Sequence, residues 1–138
     1  MRRIIKSLYN DTGSVYVEFL AGILLLFIVL ATIISVLSVF SIKNQLDNAN
    51  SVLLLQAEQT GTTELSSEIA QLKSSTGIDF AVSFEGTEYI PGSDTKVQLG
   101  DEIHIFLSYE QSIGAGDLIS FPLTITSSAF GLSQQYHK

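Results

Sequence analysis

The chain of 138 residues contains no cysteine. That excludes disulfides, thiolate metal sites, cysteine nucleophiles and lipoprotein-style lipidation together. Any folded part must therefore be held by packing alone. Catalytic signatures are missing as well. The two histidines, His104 and His137, stand 33 positions apart and in no ligand spacing such as His-Glu-x-x-His, so they read as a sheet-surface residue and a tail residue. No serine sits in a Gly-x-Ser-x-Gly elbow. Gly114-Ala115-Gly116-Asp117 follows no phosphate-loop pattern and reads as a flexible loop. Asp94, Asp101 and Glu102 flank two turns and could approach one another around a calcium ion, but they lack the alternating EF-hand spacing. The alternative is a solvated acidic rim. The expectation is no enzyme, no cofactor and no metal.

Basic charge is scarce outside the first residues. Residues 1–13 hold Arg2, Arg3, Lys6 and Asp11, a net of +2, so the whole-chain net of −7 leaves −9 for residues 14–138. A surface this acidic repels phosphate, and direct nucleic-acid binding is not expected.

The longest absence is of charge altogether. From Phe19 to Phe40 no residue is ionisable in the physiological range, and at ~1.5 Å per residue that run reaches ~33 Å. This is enough to cross a hydrocarbon core of roughly 30 Å. Three basic residues precede the run and Lys43 alone follows closely, which places the N-terminus in the cytoplasm and the remainder outside. One carboxylate, Glu18, stands at the run's entrance, where a charge is tolerated chiefly if it has a job.

Three readings account for such a start. A secretory signal peptide would use Thr32 and Ser35, or Ser38 and Ser41, as a small-residue cleavage site, but the apolar run exceeds the usual 7–15 residues of its core. An uncleaved signal anchor would keep Glu18 at head-group level at little cost. A prepilin would be cut on the cytoplasmic side, before the span.

The stretch Gly13-Ser14-Val15-Tyr16-Val17-Glu18-Phe19 resembles the TadE-like branch of the type IV pilin superfamily. There a short basic leader ends in glycine and the mature helix carries glutamate as its fifth residue. The resemblance implies cleavage between Gly13 and Ser14 by a prepilin peptidase. It makes Ser14 the new N-terminus, and Ser14, Glu18 and Phe19 the assembly residues, with Tyr16 a departure where small residues are common. Glu18 would pair with the terminal amine of a neighbouring pilin subunit, a favourable arrangement in low dielectric only when both partners are present. Implied partners are the peptidase, other pilin subunits, the cell membrane before assembly and a pilus assembly platform. The segment from Thr76 onward, with KVQLGDEI, FPLTITSSAFG and Tyr136, is similar to the ectodomain of a TadE-like family of unknown function in Gram-positive bacteria.

Beyond the span the helical period continues. Ile42, Leu46, Ala49, Leu53 and Ala57 line one face, no proline interrupts residues 14–60, and Gly61 is a natural stop. The pattern predicts one helix from Ser14 to about Thr60, or two helices broken near Ser38–Ser41. A short helix follows, capped by Thr62 or Thr63, with Leu65, Ile69 and Leu72 on its apolar face and Gly77 at its end. Period two then takes over. Phe80, Val82 and Phe84 form one alternating set, Ile103, Ile105, Leu107 and Tyr109 a second with Phe106 facing outward, and Ile119, Phe121, Leu123 and Ile125 a third. Turns fall at Pro91–Asp94 and Leu99–Asp101. Pro122 lacks an amide proton, which confines its strand to an edge or a bulge.

The expected fold is α+β. Residues 1–13 form a leader, 14–60 a long helix with its transmembrane and assembly half at 19–40, and 61–138 a head with a three- to four-stranded antiparallel sheet covered by the helix. The expected function is that of a minor pilin or pseudopilin of a Tad-type pilus or related secretion, adhesion or DNA-uptake machine. The alternative is an uncleaved single-span membrane protein whose head binds another protein.

Overall fold

In a computed structural model of the chain, the backbone is described for residues 2–114 and 120–138, and side chains for 13–113 and 120–138. The Gly114–Asp117 loop expected above, and Ile119, therefore lie largely outside the described residues. Helix α1 runs from Arg2 to Thr60 without a break. It begins earlier than Ser14, because the expected boundary was one of processing, and a lone Gly13 costs a helix only about 1 kcal/mol. No break occurs at the serines either. Thr32, Ser35 and Ser38 donate to the carbonyls of Ile28, Ala31 and Ile34 at 2.8, 2.9 and 3.0 Å. Back-bonding of this kind satisfies each hydroxyl inside the helix, so an apolar surround does not oppose it.

The described side chains of the first half of α1 lie outside the core. Its apolar side chains from Val15 to Phe40 are largely exposed, and this is the helix long and apolar enough to cross a membrane. The second half is different. Leu46, Ala49, Leu53 and Ala57 are buried, with Ile42 partly so, as the spacing predicts.

Gly61 ends α1 at φ +61°, a conformation that costs other residues a Cβ clash. Helix α2 covers Ser66–Thr76 and ends on Gly77 in the left-handed conformation. Neither Thr62 nor Thr63 caps it, contrary to expectation. Leu65 occupies the cap position and has no side-chain bond to give, because burying its side chain in the core (3 % exposed) takes precedence. The threonines serve the turn instead: Thr62 accepts from the Glu64 amide, and the Thr63 amide donates to the Thr95 carbonyl at 2.8 Å.

Three strands follow, β1 (Ala81–Ser83), β2 (Glu102–Gly114) and β3 (Ser120–Leu132), antiparallel in the order β1-β2-β3. Tyr109 faces Ile125 and Leu107 faces Ser127 across β2–β3. Ile103, Ile105 and Leu107 are fully buried and Phe106 points out, as alternation requires. Pro122 lies on β3, an edge strand with no second neighbour to demand its missing proton. Phe80, Ile78 and Val97, from the connections, complete the core. The third alternating set keeps its phase but not its burial. Ile125 is buried, whereas Phe121 and Leu123 remain exposed, because α1 and the hairpin do not close on one another beyond Ile125.

The C-terminal residues close the far end. Ser133 exchanges backbone bonds with Gly100 and Asp101, the Gln134 amide reaches the Glu58 carbonyl at 2.8 Å, and His137 meets Gly61 and Gln98.

A soluble fragment of residues 42–138 keeps the covering half of α1 and is expected to unfold cooperatively in denaturant. A fragment starting at Thr76 leaves the apolar sheet face bare and should aggregate. Equal behaviour of the two fragments in light scattering and circular dichroism would mean that the helix does not stabilise the sheet.

Candidate functional site

The stretch singled out by the sequence lies on the uncovered half of α1. Gly13, Ser14, Glu18 and Phe19 are all exposed, within unbroken helix. Ser14 and Glu18 are one turn apart and share a face. The next turn of that face brings Ala21 and Gly22 beside Glu18, and nothing lies within 4 Å of where a Cβ at Gly22 would sit. Glu18 therefore faces a shallow strip with space for another helix to approach. Among the described residues no cation pairs with it. A scissile Gly13–Ser14 bond would lie within helix, and glycine is the residue whose helix is easiest to unwind.

A second polar cluster sits where the span meets the head. Lys43 Nζ contacts Asp47 Oδ1 at 2.7 Å and donates to the Thr126 carbonyl at 2.8 Å. The Ser127 hydroxyl donates to the same Asp47 oxygen at 2.6 Å, and Asn50 Nδ2 donates to Ser127 Oγ at 3.1 Å. Asn50 is almost fully buried, at 1 % exposure. The cluster ties three successive turns of α1 to β3. The Lys43 bond, followed by that from Ser127, holds the Asp47 carboxyl below its ordinary value of 3.8. Sequence reasoning missed this cluster. Its only advance signal was a serine, Ser127, continuing the inward phase of an otherwise apolar strand.

The remaining candidates do not converge. Among the described residues no group of three histidine or acidic side chains could hold a metal. Asp94 and Glu102 are exposed, and Glu102 pairs with His104 at 3.0 Å. His104 also stacks on Phe130 across the strands, with ring centroids 6.2 Å apart. The outer sheet face carries exposed Phe106, Phe130 and Leu132 around this pair.

Residues 23–138 match a family model described as a domain of unknown function, DUF4320. The match starts past Glu18 and takes in most of the span, the covering half of α1 and the head. Comparison with curated proteins gives no match, and neither does comparison with solved structures.

Asp47 generates a pH prediction. Its folded-state value is lowered, so its contribution is complete above the unfolded value and is lost as pH falls through the lower folded one. The stability difference between the 42–138 fragment and its Asp47→Asn variant should be largest near neutrality and close in acid. Denaturant titrations across the acid range measure it. A difference independent of pH would show that the carboxylate charge plays no part.

Proposed function

The chain belongs to the DUF4320 family, and we propose that it is a pilin-like structural subunit, cut after Gly13 and incorporated into a filament or secretion assembly through Glu18. The observation that carries this reading is Glu18 itself. It is a carboxylate on an otherwise bare apolar helix, one turn beyond the serine that cleavage would turn into a terminal amine.

Cutting at Gly13 does two things at once. It removes the basic leader, and it exposes the positive end of a helix whose first four amide protons have no partners. Glu18 of a neighbouring copy, displaced by about one turn, then meets the Ser14 amine. An unpaired carboxylate in low dielectric is unfavourable, and docking removes the penalty. Phe19, Ala21 and Gly22 would supply the apolar and close-approach contacts beside the pair. In this reading the peptidase, the membrane, an assembly platform and other pilin subunits are the partners, and the head is carried outside the cell. A head of residues 61–138 suits a minor or tip component, since a major subunit needs little beyond the helix.

One observation favours the second reading, an uncleaved single-span protein with a protein-binding head: the exposed Phe106, Phe130 and Leu132 on the outer sheet face. Cleavage separates the two. Coexpressed with a cognate prepilin peptidase, the mature chain is expected to begin at Ser14 by intact mass. A stable chain still beginning at Met1 would favour the anchor.

Glu18→Ala should leave insertion and cleavage intact, because alanine suits an apolar helix and the cut lies five residues away. Incorporation should fail: losing one member of a buried pair costs ~3–5 kcal/mol, a roughly hundredfold or larger shift in an assembly equilibrium. The measure is the share of processed protein recovered in sheared filaments or crosslinked complexes. Wild-type recovery of the processed variant would refute the pairing.

A further inference from the structure

The end of the β2–β3 hairpin beyond Ile125 has no explanation in the core or in the assembly residues. Ile125 and Ser127 of β3 are buried against α1, at 5 % and 3 % exposure, yet Phe121, in the same phase, is 67 % exposed and Leu123 is 37 % exposed. Opposite them stand Ile113 and Gln111. On the helix, Leu37 and Phe40 are exposed too. Phe121 and Leu123 on the hairpin and Leu37 and Phe40 on the helix leave apolar surface exposed at this end, beside the half-buried Gln111 and Ile113.

The height of this end is fixed by contacts elsewhere. Ser127 is level with Asp47 and Asn50, and Gln134 is level with Glu58. The chain from Ser127 to Gln134, the end of β3 and the two residues after it, therefore climbs in the same direction as α1, its seven steps covering the height of about ten helix residues. Followed downward at the same ratio, Phe121 comes level with the last apolar turn, Leu37–Phe40, where the membrane span ends. Charge marks the same boundary. Glu110, opposite Thr124, is the lowest charged side chain of the described hairpin. From Gln111 to His137 the sequence holds a single ionisable carboxylate, Asp117, in a head otherwise rich in them.

We infer that the membrane-proximal end of this hairpin, with Ile113, Phe121, Pro122 and Leu123, rests in the head-group and acyl boundary of the bilayer that α1 spans. Apolar side chains gain by leaving water at that depth, while strand-edge amides still find water or head groups there. An acidic head is repelled by anionic lipid, and this is the end of it that approaches the bilayer without bringing a line of carboxylates. The contact lies within one subunit and needs neither cleavage nor a second copy. It holds the head at a fixed height above the membrane before any assembly.

The chain has no tryptophan, so single Phe→Trp substitutions report alone. The full chain, uncleaved and reconstituted in lipid nanodiscs, would carry either Phe121→Trp or Phe130→Trp. Both sites are exposed, so neither substitution disturbs the core. The expected result is that bromine-labelled acyl chains quench the fluorophore at 121 and aqueous iodide does not, with the reverse at 130. Iodide quenching of both alike would overturn the inference by placing the hairpin in water. Protection of the 121 site from both quenchers, with crosslinking between chains through it, would also overturn it and assign the surface to a second copy.

Discussion

A sheet with one apolar face cannot stand alone in water, and that constraint shapes everything beyond residue 40. The face made by Ile103, Ile105, Leu107 and Ile125 must be covered, and the cover is the second half of the same helix whose first half is built for hydrocarbon. Burying a Leu or Ile side chain contributes about 1.5–3 kcal/mol, and Leu46 and Leu53 are both fully buried here. Ala49 and Ala57 let the helix come close to the strands between them. Gly131, at the upper end, leaves room for the Glu58 carboxylate, which a Cβ there would displace.

Apolar contact fixes that the helix covers the sheet, but it specifies rotation and height only loosely. The Lys43–Asp47–Ser127–Asn50 cluster supplies that specification. A helix slipped by one turn would leave the Asn50 amide nitrogen and the Ser127 hydroxyl buried without partners, and such orphans are costly. Because α1 is continuous, the orientation chosen at Asn50 passes directly to Glu18. In the pilin reading, a neighbour that captures Glu18 therefore receives the head at a set azimuth, with no hinge between the two.

Much of this was legible in the residues. Helix and strand periods are local properties, so the covering face from Ile42 to Ala57, the inward set of β2, the outward Phe106 and the helix stops at Gly61 and Gly77 could be read in order along the chain. The Glu18 motif was legible for the same reason: its spacing lies within one turn of one helix. The site at the head–span junction was not, because its members stand some 80 positions apart and include a serine that looks unremarkable in a strand.

The sequence by itself determined the apolar run long enough to span a membrane, the α+β composition, the antiparallel sheet, and the absence of cysteine chemistry, while it left Pro122 to an edge or a bulge. Each follows from side-chain polarity at fixed local spacing. Only the tertiary structure decided which residues of a correct pattern are buried. Leu65 displaced the threonines from the cap of α2 because the core lay on its side. Val97, in a connection between turns, became fully buried, and His137, in the tail, came to rest on Gly61. Phe121 and Leu123 kept the inward phase and stayed exposed, because alternation says which way a side chain points and only the packing of helix against hairpin decides whether anything meets it.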